Sequence, residues 1–397
     1  MAKLRHFFGI IKNIAYFCTI KIELHMKIGI EAQRIFRRNK HGMDYVVLQE
    51  IRELQQMQTP HEFYVFVKPD EDRCVESSDH VHVVELDCPS YPLWEQWALP
   101  RAARKYGVQL LHCTSNTAPI WCDIPLILTL HDIIFLEPRD KNNHSLYQNL
   151  GWLYRRIVVP RILPKCRRII TVSNFEQQNI ISKLHIAPER MAMIYNGYND
   201  WFRPQPVNGK LSTVNSPSPF FFLGNTDPKK NTERTLVAYA RYLEQSTVKR
   251  PLLMADLDRA YLDSIVRRHH IEHILEHITM PGYIPNSQLP KVYGEAFAFL
   301  YTSLRESFGI PLLEAMACGT PVITSNTSSM PEIAGPDAIL VNPESSTDIA
   351  NAMLRLELDP ELYARQQALG PQRASLFSWR QTAQHLLHLY EEEGQKI

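Results

Sequence analysis

Short apolar runs alternate along the chain with longer segments in which apolar residues recur at helical spacing. The uninterrupted apolar run at 296–301 is typical of a buried strand. Residues 44–57 instead carry four aliphatic side chains at helical spacing, which predicts an amphipathic helix. Further strand candidates are 28–32, 63–67, 81–86, 110–113, 126–130, 168–172, 220–223, 252–255, 277–280, 321–324 and 339–341. This alternation favours an α/β fold in which parallel sheets are covered by helices on both faces.

A proline-rich segment interrupts the alternation at residues 203–219. It holds four prolines together with Asn, Gly and Ser residues, which is typical of a linker. A chain of 397 residues also exceeds what one hydrophobic core usually organises. We therefore predict domains at 26–200 and 201–378, with an extension at 1–25 and a closing helical segment at 379–397.

The composition, with 45% hydrophobic and 21% charged residues, is that of an ordinary soluble globular protein. The formal net charge of +1 conceals an asymmetry: residues 1–200 have 25 Lys and Arg against 21 Asp and Glu, and the remainder has 18 against 21. Residues 1–40 alone hold nine basic and two acidic side chains, and this patch favours an anionic surface but is too weak to indicate nucleic-acid binding. The seven cysteines form no Cys-x-x-Cys pair, so neither a zinc site nor a disulfide framework is indicated, and a reducing cytoplasm is expected.

The strongest chemical signal lies at residues 306–321, where Glu306 and Glu314 stand eight positions apart. Pro311 suits the first turn of a helix, where its missing N–H costs nothing. Gly319 suits the left-handed position just after a helix ends. The run therefore predicts that the strand at 296–301 leads through a turn into a short helix.

The start of that helix is a candidate phosphate site. Backbone amides there lack partners within the helix, and the helix dipole adds about half a positive charge. The amides are those of Ser307, Phe308, Gly309 and Ile310, which could bind a phosphate or a diphosphate. Glu314, one turn into the helix, could accept hydrogen bonds from sugar hydroxyls. The alternative is an ordinary amphipathic helix with two solvated glutamates.

The same run resembles the E-x7-E signature of the retaining glycosyltransferases of family 4, also called group 1, which have the GT-B fold. The resemblance extends from about Met26 to the C-terminus. Residues 322–326, 329–335 and 377–379 are similar to the next strand, the S-x-P-E-x-x-G turn and the tryptophan motif of that family. The resemblance implies two Rossmann-like domains facing an interdomain cleft, with the acceptor on the first domain and the nucleotide sugar on the second. It also implies that the last helix crosses back to the first domain. We expect Glu306 to be a catalytic residue near the hexose hydroxyls and Glu314 to contact the ribose.

Residues 221–231 resemble the family's donor loop, whose pattern is G-x-x-x-P-R-K-N. The resemblance implies donor contacts for Gly224, Asn225, Lys229 and Lys230. Lys230 would meet the diphosphate as a point charge beside the predicted helix. Many relatives have an arginine where this chain has Asn225, so more of the phosphate contact is expected from Lys230. The alternative is that the two adjacent lysines are merely solvated.

The strand candidate at 126–130 leads into His131 and Asp132, at the sheet edge where ligands gather in parallel α/β folds. The pair resembles the family's H-D motif, which implies a catalytic role for His131 and an orienting role for Asp132, although an isolated histidine can be structural. Ser173 resembles the helix cap of the V-S-x-F turn and is a candidate for cleft contacts. Gly42 lies where relatives have a glycine-rich turn, and it is a candidate for contacts with the acceptor.

Three further motifs give weaker signals. Asn196-Gly197 is typical of a tight turn. Six cations within residues 155–168 indicate either a peripheral membrane site or a solvated helix face, and the two alternatives stay open. Asp256 and Asp258 superficially resemble a metal-binding D-x-D motif, but the predicted helix already accounts for diphosphate binding, so no metal site is expected.

The resemblance implies a hexosyltransferase that retains anomeric configuration and uses neither a metal nor another cofactor. The donor loop looks most like that of relatives using GDP-mannose, while UDP-sugars stay open. The expected acceptor is a glycan or lipid-linked glycan of a surface polysaccharide, and nucleic acid is not expected as a partner. The expected location is the cytoplasm, either free or in contact with the inner face of an anionic membrane.

Two alternative functions fit the same fold. One is a nucleotide-sugar epimerase or hydrolase. The other is a non-catalytic, glycan-binding scaffold, which would be expected to have lost Glu306, Glu314 or Lys230, whereas all three are present.

The first 25 residues are apolar between positions 7 and 24, but charged side chains interrupt the stretch. It lacks the roughly 20 apolar residues that a membrane helix needs. It also lacks the small-residue cleavage site of a secretory signal. Residues 26–30 look like the family's opening strand, so an upstream start codon would explain the extension, with an interfacial anchor as the alternative.

Overall fold

The computed structural model describes residues 25–137, 146–204 and 218–397. The predicted N-terminal extension, except for its last residue, and most of the predicted linker lie outside these ranges. The described residues form two parallel sheets with helices packed on them, so the predicted α/β class is confirmed.

The first sheet has seven parallel strands in the order β3-β2-β1-β4-β5-β6-β7. They are β1 (Lys27–Glu31), β2 (Glu62–Val67), β3 (Val81–Glu85), β4 (Leu110–Cys113), β5 (Leu126–Thr129), β6 (Cys166–Thr171) and β7 (Met191–Met193). The first six overlap the predicted strands. The prediction omitted β7, because three residues after a proline-containing turn are too short an apolar run to indicate a strand.

The second sheet has six parallel strands in the order β10-β9-β8-β11-β12-β13. They are β8 (Phe220–Leu223), β9 (Leu252–Ala255), β10 (Ile278–Thr279), β11 (Ala298–Tyr301), β12 (Val322–Ser325) and β13 (Ile339–Val341). All six were predicted, and most of their apolar side chains are buried because helices cover both faces of the sheet.

Helices follow most strands, as the alternating pattern predicts. With the first sheet lie α1 (Gly42–Gln56), α2 (Tyr91–Leu93), a π-helical turn (Trp94–Ala98), α3 (Leu99–Lys105), α4 (Leu146–Ile162) and α5 (Asn174–Leu184). With the second lie α6 (Thr232–Gln245), α7 (Arg259–His269), α8 (Leu289–Glu295), α9 (Ile310–Ala317), α10 (Met330–Ala334), α11 (Ser346–Leu358) and α12 (Pro360–Ala374). The closing helix is α13 (Trp379–Gly394).

The closing helix α13 lies on the first sheet, although it follows the second sheet in the chain. It packs against α1, and the Tyr390 hydroxyl is 2.7 Å from Nδ1 of the buried His112 on β4. The Arg168 guanidinium on β6 binds the Glu393 carboxylate at 2.7 Å. The C-terminal residues therefore complete the core of the first sheet. The predicted domain boundaries themselves stay a prediction.

Two chain segments cross between the sheets and pack on each other, one after β7 and one before α13. At this crossing a β-carbon on Gly197 would overlap the backbone of Ser378 and Trp379. Gly197 is not among the described glycines with positive φ. The expectation that a tight turn explains this glycine is therefore wrong, because the close approach of two backbones requires it.

Among the residues that the structure describes, none of the helices is both long enough and apolar enough to cross a bilayer.

Candidate active site

The two sheets face each other with the carboxyl ends of their strands. Ser173 follows β6 of the first sheet, and Ser307 follows β11 of the second. The Ser173 hydroxyl donates a hydrogen bond of 2.7 Å to the Ser307 carbonyl. The two sheet edges at which ligands gather in α/β proteins therefore lie against each other.

The predicted passage from strand through turn to helix is confirmed after β11. Helix α9 begins at Ile310, and Gly309 precedes it with φ +103°. A glycine suits this left-handed conformation because it carries no β-carbon. Gly319 follows the end of the helix with φ +76°, as predicted.

Serine hydroxyls hold the carbonyl groups of the turn before α9. Ser328 donates to the Glu306 carbonyl at 2.6 Å. Ser329 donates to the carbonyls of Glu306 and Phe308 at 2.9 and 3.0 Å. With Ser173 on the Ser307 carbonyl, three consecutive carbonyls have side-chain donors, and the backbone of the turn is fixed before any ligand binds.

The backbone amides of the same turn stay available. Within the described ranges, no hydrogen bond is donated by the amides of Ser307, Phe308, Gly309 and Ile310. Free amides at a helix N-terminus form an anion-binding site, and the helix dipole adds to their attraction. The geometry thus provides a cradle for a phosphate group, which we call the amide cradle (residues 307–310).

Lys230 and Glu306 lie next to each other beside the amide cradle. The Lys230 ammonium nitrogen is 2.7 Å from Glu306 Oε1, and it lies 5.9 Å from the centre of the Tyr301 ring. The two side chains are 28% and 12% exposed. Both are predicted to contact the donor, and the structure adds that they form an ion pair with each other.

The loop that carries Lys230 is held against the second sheet. Asn231 adopts φ +61°, and its side-chain amide donates to the carbonyls of Thr302 and Pro343 at 2.9 and 2.7 Å. Gly224, at the start of the loop, donates to the Ala255 carbonyl, and a β-carbon there would come within 2.6 Å of the Leu257 side chain. The glycine is therefore required for packing.

The other two predicted donor residues of this loop stabilise the loop itself. The Asn225 side-chain oxygen accepts the Asp227 amide at 2.8 Å. The Lys229 ammonium is 3.5 Å from the Asp227 carboxylate. The backbone carbonyl of Lys229 accepts a hydrogen bond from the Leu304 amide at 2.7 Å. Lys230 is therefore the lysine of the pair whose charge lies beside the amide cradle.

Glu314 is half-buried on α9. Burial raises the pKa of its carboxyl to about 8, and the Tyr293 hydroxyl, 3.5 Å away, only partly opposes this. Burial therefore favours the protonated form of this carboxyl. A protonated carboxyl can donate a hydrogen bond to a sugar hydroxyl as well as accept one.

His131 lies buried at the carboxyl end of β5, the strand that pairs with β6. Its amide donates to the Asn116 side chain at 2.7 Å, and its Nε2 lies 3.0 Å from the Thr114 carbonyl. Because a carbonyl only accepts, Nε2 carries the hydrogen and Nδ1 carries the lone pair. Burial lowers the pKa of His131, so the ring is neutral at pH 7.

The predicted orienting role of Asp132 is not what the structure shows. Its carboxylate accepts the Ile134 amide at 3.1 Å, and the ring of His131 is held by Thr114 instead. Asp132 therefore binds the first amide of the 3-10 turn at Ile134–Leu136.

The remaining candidates have local explanations. Gly42 opens α1, and a β-carbon there would meet nothing within 4 Å, so no close approach requires a glycine. Asp258 caps α7 by accepting the Tyr261 amide at 3.0 Å. No group of three or more His, Cys, Asp or Glu side chains suited to a metal ion occurs in the described part of the chain.

Comparisons with known families agree with this geometry. Residues 41–201 match the family described as Glycosyltransferase Family 4, and residues 210–373 match the family described as Glycosyl transferases group 1. The chain is a group 1 glycosyltransferase with the GT-B fold. The family expected from the E-x7-E run is thereby confirmed.

Several named proteins are similar to this glycosyltransferase. The O-antigen chain mannosyltransferase B of Escherichia coli is 27% identical over 319 residues, which cover 76% of this chain and 78% of the relative. A sucrose-phosphate synthase from Thermosynechococcus elongatus aligns over 94% of this chain and 100% of its own, with a TM-score of 0.73 and 21% identity. Anabaena HepE, solved in complex with UDP-glucose, aligns over 93% of this chain and 100% of its own, with a TM-score of 0.68 and 17% identity.

Sequence reasoning missed several residues that shape the active site of this glycosyltransferase. The amide cradle is oriented by Ser328 and Ser329, and the donor loop is held by Asn231. The cleft is crossed by the side chains of Arg305 and Glu332. All five lie inside or beside recognised motifs, so their positions were visible. Their partners are more than 20 residues away in sequence, and no local pattern indicates them.

Proposed function

We propose that this glycosyltransferase transfers mannose from GDP-mannose to a glycan or lipid-linked glycan of a surface polysaccharide, with retention of anomeric configuration. The proposal of mannose is supported by the named O-antigen mannosyltransferase relative and by the Asp-Pro-Lys-Lys-Asn sequence of the donor loop. UDP-sugars are the competing donors, since a structural neighbour was solved with UDP-glucose.

One observation carries the proposal. The amide cradle, Lys230 and Glu306 lie together at the carboxyl edge of the second sheet, against the edge of the first. This combination suits a nucleoside diphosphate joined to a sugar: the amides and the lysine match the diphosphate, and carboxyl groups match hydroxyls.

Binding of the diphosphate requires Lys230 to exchange its partner. Its ammonium would leave Glu306 for a phosphate oxygen, and the freed Glu306 carboxylate would accept hydrogen bonds from hexose hydroxyls. As the bond between the anomeric carbon of the donor sugar and the phosphate oxygen breaks, negative charge develops on the leaving diphosphate. The fixed amides and Lys230 stabilise this charge without reorganisation. Glu314 is assigned to the ribose.

The first domain would supply His131 and the acceptor. Because the ring is neutral and its Nε2 hydrogen is engaged, Nδ1 can accept a hydrogen bond but cannot act as an acid. We assign it to a hydroxyl of the donor sugar. The leaving phosphate would then take the proton from the acceptor hydroxyl, as the family resemblance implies.

A donor screen tests this proposal. GDP-mannose, GDP and common UDP-sugars would be compared by thermal shift, where a ligand present at 100 times its dissociation constant adds about 2.7 kcal/mol of stability. We expect the largest shift with GDP-mannose. A larger shift with a UDP-sugar would overturn the choice of donor and leave the fold and the cradle unaffected.

The reaction type is tested with labelled donor in the presence and absence of acceptor glycans. Retaining transfer predicts a product with the same anomeric configuration as the donor, measured by NMR from the one-bond coupling between C1 and H1. Turnover that yields only free sugar or an epimer, with or without acceptor, would instead support the hydrolase or epimerase alternative.

Full activity in excess chelator is expected. A loss of activity that a divalent metal restores would contradict metal-independent transfer.

A lipid-linked acceptor would require contact with a membrane, and the first domain offers a surface for it. Gln96 joins the π-helical turn to the loop at 118–120 and to Tyr154 on α4, through bonds to Ala118, Ile120 and Tyr154. These elements expose an apolar surface consisting of Trp97, Trp121, Leu150, Leu153 and Ile157. The exposed cations Arg101, Arg156, Arg161 and Lys165 accompany it. Exposed aromatics beside cations are suited to an anionic lipid surface.

Vesicle sedimentation tests this contact. We expect binding to vesicles containing phosphatidylglycerol, weaker binding at high salt, and little binding to phosphatidylcholine alone. Changing both Trp97 and Trp121 to Ala should reduce binding, whereas Trp201→Ala, which removes another exposed tryptophan, should not. Equal binding by all three proteins would contradict the assigned surface.

A further inference from the structure

Glu332 reaches from the second domain into the N-terminus of a first-domain helix. It lies on α10, and its carboxylate accepts the amides of Asn174 and Phe175, the first residues of α5, at 2.8 and 3.0 Å. The Asn174 side chain and the Tyr195 hydroxyl donate to the same carboxylate at 2.9 and 2.7 Å. A carboxylate at a helix N-terminus satisfies unpaired amides and is attracted by the helix dipole.

Arg305 makes a second contact across the cleft. Its guanidinium lies 3.1 Å from a carboxylate oxygen of Glu176, which is fully buried on α5, and it also pairs with Glu137. Arg305 directly precedes Glu306. The residue before the donor-facing glutamate is therefore anchored to the opposite domain.

The two contacts flank the amide cradle on both sides of the turn. Arg305 lies just before it, and Glu332 follows Ser328 and Ser329, whose hydroxyls hold the carbonyls of the turn. Helix α5, which receives both contacts, is capped by Ser173, the residue that donates to the Ser307 carbonyl. The conformation of the cradle is thus tied to the docking of α5.

We propose that Arg305 and Glu332 are positioning residues for glycosyl transfer, which hold the amide cradle and Glu306 against the first domain so that the site is complete only when the domains are closed. These two residues with α5 form what we call the interdomain bridge. The inference rests on glycosyl transfer by this chain, and it does not depend on which nucleotide sugar is the donor.

Weakening the bridge should affect turnover more than donor binding. The donor contacts the second domain, whereas transfer also needs the acceptor and His131 from the first domain. With Glu332→Gln, one carboxylate oxygen becomes an N–H donor facing the amides of α5, so the closed arrangement is disfavoured. We expect kcat for transfer to fall about tenfold, because one charge-assisted hydrogen bond is lost. The KM for the donor should change much less.

Two readouts separate positioning from simple loss of stability. An opened cleft should admit water, so donor hydrolysis relative to transfer should rise in Glu332→Gln. The radius of gyration measured by X-ray scattering should also increase. Glu357→Gln is the matched control, because Glu357 is a buried carboxylate bound by Tyr242 and Ser246 within the second domain. This control should lower the melting temperature without changing kcat, the hydrolysis ratio or the radius.

The ion pair provides an independent test. Arg305→Met should lower kcat by leaving Glu176 buried without its cation, and Arg305→Met combined with Glu176→Gln should recover part of the loss. The proposal is overturned if Glu332→Gln and Arg305→Met keep the wild-type kcat and hydrolysis ratio. It is equally overturned if both lose activity only in proportion to melting temperature, with an unchanged radius of gyration. The scattering comparison needs no turnover, so it stands even if the proposed donor is wrong.

Discussion

At the scale of single residues, Lys230 and Glu306 stabilise each other's charge through their ion pair. The amine and the carboxylate are 2.7 Å apart and mostly buried. Each satisfies the other until a ligand brings its own charges. A nucleotide sugar supplies both a diphosphate for the lysine and hydroxyls for the glutamate, so neither group is left uncompensated when the pair separates.

Replacing Lys230 by Met should weaken binding of the nucleoside diphosphate by about ten- to a hundredfold, because a charge-assisted hydrogen bond is lost and Glu306 then repels the phosphates. Isothermal titration calorimetry with GDP or UDP measures the effect. Lys291→Met, at an exposed lysine on α8, should bind like the wild type. Equal affinity in the Lys230 and Lys291 variants would count against the assignment of Lys230.

Replacing Glu306 by Gln should produce the opposite pattern. Transfer should fall about a hundredfold or more, because the carboxylate that positions the hexose loses its charge. Nucleoside diphosphate affinity should stay the same or increase, since Lys230 no longer has a competing partner. Steady-state kinetics and calorimetry on the same preparation check both halves. Normal turnover would remove Glu306 from the mechanism.

At the scale of elements, the crossing of residues 196–202 with 377–379 depends on one glycine. Gly197→Ala would place a methyl group inside the backbone of Ser378 and Trp379, so one of the two segments must move. We expect a loss of about 1–3 kcal/mol in the free energy of unfolding, the usual cost of overpacking. Gly42→Ala, where the added carbon meets open space, should change it by less than about 1 kcal/mol. Similar stability of the two variants would contradict the close approach.

The burial of Glu50 on α1 makes the stability of the fold depend on pH. Glu50 on α1 is 7% exposed, and burial raises its pKa to about 8. Because the folded pKa lies above that of the unfolded chain, the stabilising contribution is complete below about pH 4.5 and is lost as the pH rises to about 8. The unfolding free energy of the wild type should therefore decline between these pH values. In Glu50→Gln this decline should be smaller by more than about 1 kcal/mol. Urea titrations at several pH values test this, with the exposed Glu76→Gln as the control. An identical pH profile in Glu50→Gln and the wild type would contradict it.

The elements themselves were largely predictable from the sequence, because strands and helices follow local periodicity. The apolar run before Glu306, the proline in the first turn and Gly319 after the helix define α9 within a residue or two. The three-residue strand β7 was not predictable, since so short a run carries no periodicity. The role of Gly197 was misjudged because a close approach between distant segments leaves no local signal.

At the scale of the whole molecule, what the sequence could not provide is how the two sheets meet. Glu332 and Asn174 are 158 positions apart, and Ser173 and Ser307 are 134 apart. Their pairing depends on the relative placement of two cores, which no pattern within either segment encodes. For the same reason the motifs predict donor residues such as Lys230 but do not indicate the partners that hold the cradle in place.

We assign the diphosphate of a nucleotide sugar to the free amides at residues 307–310. A TROSY NMR titration of 15N-labelled protein with GDP and with UDP tests this assignment. We expect saturable shifts in the amide signals of Ser307, Phe308, Gly309 and Ile310, reduced in Lys230→Met at the same ligand concentration. Saturable binding that shifts other amides and leaves these four unchanged would contradict it.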